Sequence, residues 1–586
     1  MSKSPQVQRS AAAVQNPSWR PTVTGSHYAV SCGHYLASAA AMQILQQGGN
    51  AIDAGVTAAM ALAVLQPDLV SFAGVAPTLV YLRKENRVVS LAGLGYWPAA
   101  TDKARLIQEG GSAVPEGLLR TVIPAAPATH VEALKRYGTI SFEAAATPAM
   151  QLARDGFAVY PVLAGSTATH EAVYRRWPGS AAIFLPGGRP LVVGSVFKQT
   201  DLAKSIQAMI DAERSAAGSR LDKLQAAHDY FYRGPIADAV HAYHLENDGF
   251  MRKSDLAAFQ TPVEESLHCT YKGIEVHGCD AWCQGIVLLE TLKILEGVDL
   301  KALGYNTPAY IHVLTEAMKL AFADREAYVG DPKFVSVPSR ELLSAAYAEK
   351  QRARINPRAA FPGMPEHGLP SATARPYRSA VLAPTATTSI TGPDTIYCAV
   401  VDDDGNAYSA TLSDGSYDAP VIPGLGMVIS SRGSQSRLEP GHPSEVAPGK
   451  RPRLTPTPAL AFKNGRLLMA WGTPGGDVQI QAMLQVFLNV TEWNMPVQAA
   501  IEAPRFATFS FPNSFAPYAY YPARLNMEGR FPTDTIAAMR ALGHDVEVWP
   551  DIVSRAGAVC AVTVDPETGL RHAGADPRRE AYAIAW

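Results

Sequence analysis

A chain of 586 residues exceeds what one hydrophobic core usually holds, so its length predicts roughly two to four domains. With 47% hydrophobic and 18% charged residues it has the composition of a globular protein, which excludes a disordered chain. A formal net charge of -2 leaves no electrostatic footprint for nucleic acid or an anionic membrane.

In chain order, the first 25 residues are polar and carry Lys3, Arg9 and Arg20 without an apolar run. They read as disordered, and not as a secretory signal. Tyr35 to Gln46 reads as an amphipathic helix stopped by Gly48-Gly49. Asn50-Ala51-Ile52-Asp53-Ala54 opens a second helix that runs to about Leu65; its apolar stretch of about 12 residues is too short to span a bilayer. Thr78–Leu82 and Val88–Leu91 form a strand pair around the polar turn Lys84-Glu85-Asn86-Arg87. Helical patterns dominate from about 125 to 350, most clearly from Ile311 to Tyr328. Between Pro357 and Thr391 the pattern dissolves into Pro, Ala, Ser and Thr, as expected of a mobile connector. Strand patterns follow at Tyr397–Val401, Ala407–Thr411, Gly426–Ser430, Ala459–Phe462 and Leu467–Gly472, then a helix at Gln479–Asn489. No internal repeat is present. A helix-rich first segment (26–394) and a strand-rich second (395–586) predict an α+β fold, a four-layer αββα sandwich that both segments build.

The six cysteines (Cys32, Cys269, Cys279, Cys283, Cys398, Cys560) make no Cys-x-x-Cys motif and have no His cluster beside them. They read as reduced, structural thiols of a cytoplasmic protein, with no metal site. Asp402-Asp403-Asp404-Gly405-Asn406 lacks the spaced ligands of a calcium loop and reads as a hairpin turn. His312, Glu316 and Asp324 on the long helix offer acid–base groups, with hydrogen bonding at the surface or between helices as the plainer role.

Thr395 is the sharpest chemical candidate. It stands where the connector ends and a strand begins, behind a loop with the character of a cleavage site. If the Asp394–Thr395 bond is cut, one residue supplies a nucleophilic hydroxyl and the α-amine that takes its proton. The α-amine titrates near pH 7.7–8.0, so part of it is free base at about neutral pH. The plain alternative is a strand-start Thr that satisfies backbone groups. Gly472-Thr473-Pro474-Gly475-Gly476 lies between a strand and a helix, where glycines let backbone N–H groups converge on an oxyanion. The plain alternative there is a tight turn.

Together with Gly48-Gly49-Asn50-Ala51-Ile52-Asp53-Ala54, Phe322-Ala323-Asp324-Arg325, Gly330-Asp331-Pro332, Lys450-Arg451-Pro452, Ala503-Pro504-Arg505-Phe506 and Asp576-Pro577-Arg578, these motifs make a set. The chain thereby resembles the γ-glutamyltranspeptidase family of N-terminal nucleophile hydrolases, from about Val30 to its end. The resemblance implies a precursor that cuts itself between Asp394 and Thr395 into a large and a small subunit. It places the nucleophile on Thr395, the oxyanion donors on Gly475 and Gly476, and a supporting hydroxyl on Ser413. It implies no metal or cofactor, a small-molecule amide substrate, and the two subunits as each other's partners, with room for a dimer of heterodimers.

Departures from the family pattern bear on substrate. Around Trp97-Pro98-Ala99-Ala100-Thr101-Asp102 no arginine is found for an α-carboxylate. Gly415 stands where an Asn is usual, Leu454-Thr455 replaces paired serines, and Ser430 to Gln435 carries Arg432 but no carboxylate. This resembles the acylase and small-amide hydrolase branch. It predicts an acyl group with a carboxylate but no free ammonium, paired with Arg432; the alternative for Arg432 is a solvent-facing or subunit-facing position. A true γ-glutamyl hydrolase or transpeptidase and an uncleaved, non-catalytic homologue are the other readings. The second rests on Ala73-Gly74-Val75-Ala76-Pro77, where the family usually carries consecutive glycines.

Overall fold

Thr395–Val401 shows no polar alternation, and all seven of its residues are buried. Such a run suits a central strand covered on both faces. The computed structural model, which describes residues 18–378, 384–385 and 395–586, places it there. It pairs antiparallel with Ala29–Cys32 on one edge and Ala407–Ser413 on the other. The whole sheet runs Tyr582–Ala585, Ala29–Cys32, Thr395–Val401, Ala407–Ser413, Thr78–Leu82, Arg87–Leu91, Val263–Glu264. A second seven-stranded sheet runs Val23–Gly25, Arg571–Ala575, Cys560–Val564, Arg466–Gly472, Ala459–Lys463, Ile274–Gly278, Leu267–Tyr271.

The period of two sorts the side chains. Ile396, Cys398 and Val400 join a core with helices Tyr35–Gln46 and Ala51–Leu65. Tyr397, Ala399 and Val401 pack instead against Leu460, Ala470 and Val562 of the other sheet. That sheet turns Ala461, Met469 and Trp471 toward helices Gly285–Glu296, Pro308–Tyr328 and Gln479–Thr491. The sheets approach closely at Gly472, where a Cβ would lie 2.3 Å from the Tyr397 ring; any side chain there would push them apart.

Helix Ala51–Leu65 is buried along its entire length. Its start is fixed by a capping box between Asn50 and Asp53. The Asp53 carboxylate also accepts from the Thr139 backbone N–H (2.9 Å) and hydroxyl (2.7 Å). Asp402 closes the hairpin after Thr395–Val401, accepting from the Asn406 N–H (2.8 Å), and also accepts from the Ala51 N–H (2.9 Å). The acidic run is thus a hairpin turn that also caps a helix.

Several expectations change. The N-terminal stretch, expected to be disordered through residue 25, contributes Val23–Gly25 as an edge strand paired with Arg571–Ala573. The strand expected at Gly426–Ser430 is only Met427–Val428, in a small hairpin with Val421–Ile422 outside both sheets. Asp394 and most of the tract before it lie outside the described residues. Residues 357–378 carry no helix or strand but line the long helix: the N–H groups of Phe361, Gly368 and Tyr377 donate to Glu316, Asp324 and the Ala327 carbonyl.

Candidate active site

Thr395 begins its strand directly opposite Ser413, and both residues are fully buried. By parity Thr395 shares the face of Tyr397, the side turned toward the second sheet. That sheet delivers the other half of the site, because Arg466–Gly472 runs into Thr473-Pro474-Gly475-Gly476 and then into helix Gln479–Thr491. Thr395 Oγ1 lies 3.0 Å from Ser413 Oγ, and Gln479 Nε2 donates to it at 3.4 Å.

The glycine turn is held from below. Gly475 and Gly476 both have positive φ, +124° and +55°. Gln284 Nε2 donates to the Gly476 carbonyl at 3.0 Å, and Arg325 Nη1 donates to Gln284 Oε1 at 3.1 Å. Arg325 also pairs with Asp477, which accepts from the Ser514 N–H (2.8 Å) and hydroxyl (2.7 Å). Beside it, burial would raise the Glu326 carboxyl, but Arg453, Arg325 and Arg437 override this and hold it well below the usual range. Arg325 of the motif Phe322-Ala323-Asp324-Arg325 therefore serves the turn from a distant part of the chain. The other distant motifs meet in the same way: Arg451 with Asp331 (3.0 Å), Arg505 with Asp576 (2.6 Å).

Arg432, expected either to grip a substrate carboxylate or to face solvent or another subunit, is fully buried. Its Nη2 donates to Ser413 Oγ in a short contact, and its Nε lies 3.2 Å from Asp414 Oδ1. Asp414 also accepts from the Ser430 hydroxyl (2.8 Å) and the Ser431 N–H (3.0 Å). Gly415 admits no side chain: a Cβ would lie 2.6 Å from the Asp68 carbonyl and 3.0 Å from the Tyr417 ring.

A cavity of about 460 Å³ abuts this cluster. Tyr417 and His170 line it, stacked at 3.7 Å, and Phe515 and Pro517 add apolar surface. Phe515 lies under Arg432 (5.6 Å to the ring centre) and 3.5 Å from where a Gly476 Cβ would project. Among the lining residues Arg120, Asp418 and Ser434 are buried, while Glu116 and Arg176 are exposed. Arg120 and Asp418 lie 3.6 Å apart. Burial pushes the Asp418 carboxyl up, against the pull of Arg120 and Arg432. Ser431 donates to Asp418 at 3.0 Å and so joins the cavity wall to Asp414. Sequence reasoning missed Gln479, Arg120, Asp418 and Ser434. Gln479 alone carried a signal, as the residue opening the helix after the glycines.

His312, Glu316 and His544 form the one His/carboxylate group among the described residues whose donor atoms, all within 4.8 Å, could share a metal ion. Neighbours engage His312 at both ring nitrogens and Glu316 through an ion pair, while His544 Nδ1 makes no hydrogen bond. His312 bonds His544 (2.9 Å) and donates to the Asn356 carbonyl (2.8 Å), while Lys319 neutralises Glu316 at 2.7 Å. A cation there would meet the Lys319 ammonium, so the group suits a buried polar network between the long helix and two loops. All six cysteines are free and buried. No helix among the described residues is long and apolar enough to cross a membrane.

The family model described as gamma-glutamyltranspeptidase matches residues 37–586. The chain is 32% identical to the acylase ACY 1 proenzyme of Pseudomonas sp. (strain V22), over 93% of this chain and 91% of that one. It is 31% identical to the glutathione hydrolase-like YwrD proenzyme of Bacillus subtilis (strain 168), over 96% and 99% of the two chains. Among solved structures, the cephalosporin acylase from Bacillus halodurans superposes with a TM-score of 0.84 at 29% identity, covering 99% of both chains.

Proposed function

The chain belongs to the gamma-glutamyltranspeptidase family, and on that premise we propose that it is a self-processing amide hydrolase whose nucleophile is Thr395. The observation that carries this is the meeting of Thr395 and Ser413, on one sheet, with Gln479, on the helix that follows the other, beside the Gly475-Gly476 turn. In the precursor, Thr395 Oγ would attack the carbonyl carbon of residue 394. The C–N bond breaks, the freed nitrogen keeps the hydroxyl proton, and water opens the ester. In the mature enzyme the α-amine takes the Oγ proton as the oxygen attacks a substrate amide. The N–H groups of Gly475 and Gly476 would hold the oxyanion. The leaving amine departs with the proton, and water, or an acceptor amine, releases the acyl group from the ester. The helix–sheet–sheet–helix packing agrees with an αββα sandwich. The free cysteines agree with a reducing compartment.

For substrate, we assign the cavity to a small acyl group bearing a carboxylate, with Arg120 and Arg176 in its wall as the cations. This moves the anion grip off Arg432, which Asp414 and Ser413 already engage. One observation favours a γ-glutamyl group instead: Arg120 and Asp418 stand side by side in the cavity, opposite charges for an α-carboxylate and an α-ammonium.

Thr395→Ala is expected to stay whole on a denaturing gel while the wild type gives two bands. Cleavage of that variant at the same bond would end the nucleophile assignment. Initial rates on glutaryl- and γ-glutamyl-p-nitroanilide separate the two acyl groups.

A further inference from the structure

Gln479 touches the reacting oxygen directly, and Arg432 reaches it through Ser413. We propose that Gln479 is a catalytic residue and Arg432 a positioning residue, which together present two hydrogen-bond donors to Thr395 Oγ and stabilise negative charge on it. The proposal rests on the reading of Thr395 as nucleophile.

The donor directions follow from chemistry. A guanidinium only donates, so Ser413 Oγ accepts from Arg432. The Ser413 proton is then available to another acceptor, and Thr395 Oγ1 lies 3.0 Å away. A hydroxyl that accepts from a cation is a stronger donor in turn. Arg432 is oriented by Asp414, itself fixed by Ser430 and Ser431. Thr395, Ser413, Asp414, Ser430, Ser431 and Arg432 are all fully buried, so water does not screen the array.

On the other side, the Thr457 backbone N–H can only donate, and it donates to Gln479 Oε1 at 3.1 Å. That contact turns the amide so that Nε2 faces Thr395 Oγ1, at 3.4 Å. A bond this long in the resting protein tightens as the oxygen gains charge. Behind Thr457, its hydroxyl lies 2.7 Å from Cys283 Sγ, which keeps that segment in place.

The array matters most in the precursor. There the Thr395 nitrogen is bound in a peptide and cannot serve as base. Donors on Oγ lower the cost of removing its proton before attack. They act again in deacylation: the α-amine takes a proton from the attacking water, the acyl C–Oγ bond breaks, its electron pair passes to Oγ, and the α-ammonium so formed gives that proton to Oγ.

Self-cleavage is its own assay, since the substrate is the chain. Precursor is produced, refolded to start the clock, and followed on denaturing gels from neutral to mildly alkaline pH. Gln479→Met, which keeps length but removes the donor, is expected to slow cleavage about tenfold to a hundredfold at neutral pH, the worth of a hydrogen bond to a charged oxygen. Its absolute rate is expected to climb with pH, as a step limited by proton removal should and one limited by a packing defect should not. Gln479→Glu, which faces a carboxylate to the oxygen, is expected to be slower than Gln479→Met. Arg432→Lys keeps one donor and is expected to fall between wild type and Gln479→Met; it stands in for Arg432→Met, which strands Asp414 and threatens the fold. Wild-type rates in Gln479→Met and Arg432→Lys, with Thr395→Ala still whole, would overturn the array and leave the nucleophile assignment standing. A slow Gln479→Met whose rate does not climb with pH would overturn it too. Cleavage of Thr395→Ala would remove the reading beneath both.

Discussion

Gly475→Ala isolates backbone geometry from packing. A Cβ on Gly475 would sit 3.5 Å from the Val478 Cβ and 3.7 Å from the Gly557 Cα, ordinary contacts that need no rearrangement. The difficulty is conformational: φ is +124°, far from the small left-handed region open to L residues. Holding Ala there costs about 1–3 kcal/mol, which the turn relieves by rotating a flanking peptide. With the turn in its proposed role, rotation would carry an N–H away from the oxyanion, and one lost donor costs about 2.7–4 kcal/mol of barrier, a fall in kcat of about a hundredfold to a thousandfold. Gly476 offers an internal control. Its φ of +55° lies in the left-handed region and its Cβ would rest 3.5 Å from Phe515. Gly476→Ala should cost about 1–2 kcal/mol and retain its geometry. The assay is single-turnover acylation by glutaryl-p-nitroanilide, with circular dichroism to confirm the fold. A Gly475→Ala rate equal to wild type, or a Gly476→Ala rate below it, would refute the reasoning.

Arg325→Met strands two buried carboxylates. Asp477 keeps its Ser514 bonds and Glu326 keeps Arg453, so the loss should lie near the low end for a broken buried pair, about 3 kcal/mol. A denaturation midpoint equal to wild type would contradict this. His130 is buried with Nδ1 unpartnered, and desolvation lowers its pKa to about 3. The folded protein keeps it neutral where the unfolded chain protonates, near pH 6.5. Its contribution is therefore complete above about pH 6.5 and lost as pH falls toward 3, about 2 kcal/mol at pH 5. His130→Leu should shrink the stability difference between neutral and acid solution by that amount; an unchanged difference would count against it.

The sequence carried the local part of this structure well. Asn50 and Asp53 announce a helix start because a capping box is made within four consecutive residues. Thr395–Val401 announces a covered strand because every position is apolar or small. Thr395 stands out because the strand begins there. What the sequence concealed depends on contacts between distant segments. Arg432 in a polar loop gives no sign that it is buried, because its partners Ser413 and Asp414 lie at the end of strand Ala407–Ser413. Arg120 and Asp418 become neighbours only in the folded cavity wall. His312 and Glu316, i and i+4 on one helix, gave equal support to a wet face and an interior one; His544 and Lys319 decide it. The arginine motifs read as separate marks, whereas each is half of an ion pair completed far away.

The strand order has a consequence for what a cut would leave behind. In the sheet that holds Thr395, segments from before and after residue 394 alternate: Tyr582–Ala585, then Ala29–Cys32, then Thr395–Val401 and Ala407–Ser413, then Thr78–Leu82. Severed pieces would be braided rather than docked, each supplying rungs to the other's ladder. Dilution should not part them, and neither piece made alone has a complete template to fold upon. The protein must finish folding as one thread before it can become two.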